Sequence, residues 1–304
     1  MAATMRSEAA AASRRRGQGP SFLMAVPALA FFVIFALAPM VLVVLLSLAK
    51  WDGLGSPSWA GFANWKRIAT DPVTRNAVWL TIKVMVFSWL IQTPTSLLLG
   101  VFIAGKQRYR ALLAVMYFVP LLLSTAAIAI TFKNLLDPNF GLSTAVKSPL
   151  VAKDWLGDPN LVLFTVVFVI AWQFVPFHTL LYQAGVRQIP RSIYEAAAID
   201  GAGAVAQFFR ITLPQLRYTI VTSSTLMLVG SLTYFDVVFI LTGGGPGIAT
   251  RLLPLDMYLS GFASNEMGRA SAIAVVLVVA GLLLSLGLVR FSGFARMESQ
   301  QEGV

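Results

Sequence analysis

Six apolar runs punctuate the chain, at about 22–48, 77–104, 111–132, 161–182, 218–242 and 270–290. Each reaches roughly 20 residues, enough for an α-helix to cross a hydrocarbon core of about 30 Å. The pattern predicts an all-α membrane protein with six transmembrane helices. The ten-residue alternation of a transmembrane barrel is missing from the sequence. Pro94 near the middle of the second run predicts a kink there, and Pro120 lies in the third. Lys83 is placed to snorkel toward the headgroups from the outer part of the second. The intervening segments are polar and turn-rich. Residues 49–76 carry Trp51, Trp59 and Trp65, which suit a membrane–water interface. Residues 133–160 hold two Asp-Pro-Asn turns, at 137–139 and 158–160.

The polar segment between the fourth and fifth runs, about 183–217, has a pattern of its own. Ser192 and Glu195 have the S-x-x-E spacing of a capping box, and Pro190 discourages helix upstream. Ala196, Ala197 and Ala198 favour helix. Gly201 is suited to a left-handed helix end. A second helical run is expected over 202–211, closed by Pro214. The segment thus predicts a compact helix–turn–helix on a membrane surface.

Charge orients these elements. Lys and Arg number 23 against 13 Asp and Glu, a net charge of +10, while charged residues are only 12% of a chain whose mean hydropathy is +0.76. In a soluble domain such a balance would suggest nucleic acid; here it reads as topology. Thirteen of the basic residues fall on the side of the 183–217 loop, nine on the other, and Lys83 lies within a span. The bias is strongest in the N-terminal arm and in the turn with Lys106, Arg108 and Arg110, the short segments that set orientation. The loop and both termini are therefore expected in the cytoplasm. Residues 1–21 are expected to be a disordered arm, 22–291 the membrane domain, and 292–304 a cytoplasmic tail. The run from Phe22 is about twice the length of a signal-peptide core, so an uncleaved first span is expected.

Catalytic chemistry finds little to work with. The chain has no cysteine and one histidine, His178, so thiol chemistry and a His-rich metal site are excluded. Gly100 to Lys106 reads G-x-x-x-x-G-K, but Gln107 stands where a nucleotide loop needs Ser or Thr. His178 is expected to make a structural hydrogen bond. Polar side chains inside a membrane are costly and tend to face a cavity or a partner. Tyr234, Phe235 and Asp236 in the fifth run form a candidate solute contact group, with Trp172 and Gln173 in the fourth as weaker candidates.

The 183–217 segment resembles the EAA loop of ABC importer permeases, E-A-A-x3-G-x9-I-x-L-P. Glu195, Ala196, Ala197, Gly201, Ile211, Leu213 and Pro214 match it at every position. Leu241-Thr242-Gly243-Gly244-Gly245-Pro246, Thr250, then Gly268, Ala270, Ser271 and Ala272, together with Pro27, Ala28, Leu29, Phe35, Ala38 and Pro39, resemble the carbohydrate-uptake branch of that family. The resemblance implies a bacterial inner-membrane permease subunit that is not an enzyme. It implies pairing with a second, distinct permease, two cytoplasmic ATPase subunits that hold ATP and magnesium, and an extracytoplasmic solute-binding protein. Arg191, Glu195, Ala196, Ala197, Gly201, Ile211, Leu213 and Pro214 would then be the ATPase-coupling residues. A sugar or oligosaccharide is the implied solute, with glycerol-3-phosphate the alternative. A self-sufficient secondary transporter would explain the spans but leaves the loop unexplained, and no internal inverted repeat is visible.

Overall fold

A computed structural model describes residues 24–105, 108–146, 148 and 153–291. The expected N-terminal arm and C-terminal tail, and Lys106, lie outside the described residues. Helix α1 spans Val26–Ser47. It widens into a π-helical turn at Val33–Leu37, just before Pro39, whose ring displaces the carbonyl four residues back. A two-residue antiparallel pair, β1 (Ala49–Lys50) with β2 (Ser58–Trp59), follows. Helix α2, Ala63–Thr70, then lies where an irregular loop was expected. Its Trp65 and Ile68 pack on Ala77, Leu253, Ala272 and Ile273.

Helix α3, Pro72–Ile103, starts on Asp71, whose side chain accepts from the Val73 N–H, and runs without a break through Pro94. The third apolar run differs from the single span expected. Helices α4 (Arg108–Leu122) and α5 (Thr125–Leu135) meet at a bend of 96°. The break falls just after Pro120, where Ser124 turns extended and its hydroxyl accepts from the Ala127 N–H at 3.2 Å, starting a new helix. After a one-turn helix α6 (Leu142–Ala145), α7 spans Val162–Gln188 and is the buried centre of the molecule. It packs along α3, where Val84, Val166, Val167 and Ile170 are fully enclosed.

The loop segment forms α8 (Arg191–Ile199) and α9 (Ala204–Gln207), followed by a π-helical turn at Phe208–Thr212. That turn precedes Pro214 as the first precedes Pro39. The fifth run is also discontinuous. Helix α10 (Arg217–Gly230) tightens to a 3₁₀ turn at Ser231–Thr233, breaks at Tyr234 and Phe235, and resumes as α11, Asp236–Leu241. Hydroxyls compete with the backbone here: Ser231 Oγ donates to the Met227 carbonyl and Thr233 Oγ1 to that of Gly230. Helix α12, Leu253–Tyr258, and a final long helix α13, Met267–Phe291, complete the described chain. Gly268 sits where α13 meets β1; a Cβ there would lie 2.0 Å from the Ala49 carbonyl oxygen.

The six-span count is therefore not reproduced. Among the described residues four helices are individually long and apolar enough to cross a membrane, and five if the bent pair is one span. The fifth run falls outside that count because its helix is interrupted at 231–235. Helix α1 along most of its length, and α13 over 278–289, keep large apolar side chains exposed, as lipid- or partner-facing helices do.

Candidate functional site: a cavity at two helix breaks and a protruding loop

The two discontinuities converge. Leu121 and Thr125 flank the break between α4 and α5, and Gly230, Thr233, Tyr234 and Asp236 flank the break between α10 and α11. All six line one cavity of about 410 Å³, closed on a third side by Phe174, Phe177 and His178 of α7. That volume is in the range of small-molecule sites, roughly 300–1,000 Å³. Irregular backbone at membrane depth is tolerated where it lines a cavity, and discontinuous helices recur at transporter binding sites.

Of the sequence candidates, Tyr234 and Asp236 line this cavity. Tyr234 is buried and stacks on Phe174, ring centroids 5.8 Å apart; Asp236 is exposed at the first turn of α11. Gln173 is buried beside it, its Nε2 donating to the cavity-lining Thr125 Oγ1 at 2.8 Å. Phe235 faces elsewhere, in an aromatic stack with Phe239 and Tyr258. Trp172 packs edge-on against Phe132 and lines a separate, mainly apolar groove with Tyr117 and Pro120. His178 makes the expected structural bond, Nδ1 to Ser223 Oγ at 2.9 Å, and also borders the cavity. Lys83 has its ammonium over the Trp79 ring and is not among the cavity residues.

At the loop end, α8 carries no buried residue. The capping box does not form. The helix begins one residue before Ser192, with Pro190 (φ −58°, ψ 134°) at its N-cap and no side-chain cap bond, so Glu195 is too far along to reach back. The C-terminal end is as expected. Gly201 has φ +80°, the Ala202 N–H bonds the Ala197 carbonyl at 2.8 Å, and the Gly201 N–H bonds that of Ala198 at 3.1 Å, the paired bonds of a glycine helix stop. Glu195 and Ala196 are exposed, and Ile199, Val205 and Phe209 expose 88%, 72% and 60% of their surface. Leu213 packs into a small core with Leu97, Tyr182 and Leu216; Ile211 is half-buried and Pro214 exposed. Tyr194, which no motif marked out, ties α8 to this base through its hydroxyl, 2.9 Å from Thr212 Oγ1.

The opposite end gathers charges that are scattered in sequence. Asp256 is fully buried. Arg251 Nε donates to its Oδ1 at 2.9 Å, and Thr74 Oγ1 donates to its Oδ2 at 2.8 Å. Arg269 pairs with Asp71, donates to Thr74 Oγ1 at 3.0 Å and reaches Glu266, which Arg67 also engages at 2.7 Å. Partial burial tends to raise the Asp71 pKa, but the Val73 N–H, the Arg269 charge and Thr74 outweigh it and hold the carboxyl below its ordinary value. Sequence separation hid this network: Asp71 and Arg269 are 198 positions apart.

The chain is thus a bundle of apolar helices with two helix breaks around one cavity and an exposed surface helix at the loop end. The chain belongs to the family of binding-protein-dependent transport system inner membrane components, whose model matches residues 96–293. It is 34% identical to the probable ABC transporter permease protein YurN of Bacillus subtilis over 89% of this chain and 94% of that one. It is also 34% identical to the multiple sugar-binding transport system permease protein MsmF of Streptococcus mutans, over 81% and 86%. Among solved structures, a chain of a bacterial alginate ABC transporter shares the fold, with a TM-score of 0.77 at 21% identity over 89% of this chain and 93% of that one.

Proposed function

We propose that this chain is one of two permease subunits of an ATP-driven importer for a sugar or oligosaccharide, paired with a similar but distinct permease. Family membership brings a solute-binding protein and an ATPase as partners. In this reading the 183–217 loop and both termini face the cytoplasm, two ATPase subunits dock there, and the binding protein delivers solute at the opposite end. The observation that carries the pathway is the convergence of both helix breaks on one cavity. A neutral sugar suits that cavity, since aromatic faces, hydroxyls and the Asp236 carboxylate border it and no Lys or Arg does. A glycerol phosphate would need a cation there. The relatives named for multiple-sugar and arabinooligosaccharide transport support the same class of solute.

Energy enters through contact in this account. Glu195 and Arg191 offer polar contacts on α8, and Ala196 and Ala197 allow close approach. Gly201 and the Tyr194–Thr212 bond make α8 a stiff unit on a base held by Leu213. ATP closes the ATPase pair and shifts the assembly toward an outward-open state through its differential affinity for the two states. Helix α10 follows directly on the loop and leads to the break at Tyr234, so movement of α8 reaches the cavity through one segment. Binding-protein-dependent uptake of labelled sugars into proteoliposomes holding the full complex tests the reading. Asp236→Ala should lower uptake on the order of tenfold, about 1.4 kcal/mol, without loosening ATPase attachment; unchanged uptake kinetics would remove the cavity from the pathway.

A further inference from the structure

The four ion pairs among the described residues all lie at the end away from the 183–217 loop. The loop end has the opposite character. A cavity of about 840 Å³ opens there between the ends of α3 and α7 and the inner side of α8 and α9. Arg110, Arg187 and Arg191 line it, no Asp or Glu does, and none of the three has a carboxylate partner among the described residues. Arg110 is partly engaged, donating to the Phe102 carbonyl and lying over the Phe102 ring. Arg187 sits in the last turn of α7, where the helix dipole favours a cation, yet its side chain is exposed. The hydroxyls of Tyr194 and Thr212 border the same space, while Val101, Val186 and Ile189 give it an apolar wall continuous with the spanning helices.

Three uncompensated guanidiniums beside an apolar wall at a span's end match one kind of ligand: a phosphate group with hydrocarbon attached. Basic pockets between spanning helices on a cytoplasmic face hold anionic headgroups, and guanidinium forks suit phosphate oxygens. We infer that this cavity is a binding site for the phosphate of an anionic phospholipid, seated between the coupling helix and the membrane domain. Its occupant would bridge α8 to α3 and α7 and set the stiffness of the joint between them. The inference rests on the orientation given under the proposed function, but its readout is lipid retention rather than uptake, so the two fail separately.

The test is native mass spectrometry of the full transporter released from membranes and exposed to phosphatidylglycerol, phosphatidylcholine or inorganic phosphate. The wild type should retain phosphatidylglycerol and not phosphatidylcholine. Arg187→Gln should weaken retention about fivefold, the worth of one basic residue at an anionic surface, and Arg187→Lys should restore most of it. Arg110→Gln should act in the same direction, with assembly of the complex as the check on its folding. Equal retention of the two lipids, or retention unchanged in Arg187→Gln and Arg110→Gln, would overturn the site. Binding of inorganic phosphate without phosphatidylglycerol would replace the lipid with a soluble anion and overturn the inference. Retention by the free chain but not by the assembled complex would mean that the ATPase fills the cavity, and would overturn it too.

Discussion

The two ends of this molecule are built on opposite principles. At the far end, α2, α3, α12 and α13 are locked by ion pairs and hydrogen bonds between residues nearly two hundred positions apart, around a fully buried Asp256. At the loop end, α8 buries nothing, leaves its acidic side chain unpaired and is held by its glycine stop and one hydroxyl pair. Buried charge is costly unless it is partnered, so the ion pairs of Asp71, Asp256 and Arg269 fix the geometry of the far end. In the proposed reading the exposed α8 is the surface that another chain contacts. One end is a frame, the other a handle.

Breaking the frame should have the largest effect. Asp256→Ala leaves Arg251 without its carboxylate partner and Thr74 with Asp71 alone as acceptor, and removal of one partner from a buried pair costs about 3–5 kcal/mol. The expected outcome is a steep fall in the thermal unfolding temperature of the purified subunit in detergent, with loss of folded protein from the membrane. Changing the handle should do the reverse. Gly201→Asp forces a side chain into φ +80°, a strain of roughly 1–2 kcal/mol, but its Cβ meets no neighbour within 4 Å. The subunit should stay folded while sugar uptake and ATPase attachment are lost together; uptake at the wild-type level would unseat the handle.

The smallest effect concerns pH. The Asp71 carboxyl is held below its ordinary value of 3.8 in the folded chain. A depressed carboxylate pKa contributes stability that is present above the unfolded value and lost as pH falls through the folded one. The stability gap between wild type and Asp71→Asn should thus be constant from pH 7 to about 5 and close below about 4. A gap that widened on acidification would place the charge pairing elsewhere.

Much of this division was legible in the sequence, and the remainder fails for identifiable reasons. Spans at 26–47, 72–103, 162–188 and 267–291 follow from apolar length, since a helix satisfies its own backbone in lipid. The two interrupted runs are as apolar as the rest. Their breaks depend on local competition: Ser124 capping a new helix after Pro120, and Ser231 and Thr233 turning their hydroxyls onto the preceding turn. Composition over a window averages such events away. In the loop, Gly201 was readable because only its own backbone sets the requirement. The capping box was not, because Pro190 moved the helix start and with it the register of Ser192 and Glu195. The cavity candidates divided for a related reason. A helix break between Tyr234 and Asp236 sends Phe235 into the Phe239–Tyr258 stack, which a continuous helix would not have indicated. The frame was invisible because its ions meet only in three dimensions.

In the proposed reading α8 is the point where an ATPase takes hold. The chain contains no cysteine, so an introduced thiol is unique within it. Glu195→Cys on the handle and Trp59→Cys, at a site 76% exposed on the opposite end, can each be treated with a short thiol cross-linker in native membranes. The account predicts an adduct of Glu195→Cys with the ATPase subunit and none from Trp59→Cys. No adduct from position 195 in a complex that still transports, or equal adducts from both positions, would contradict it.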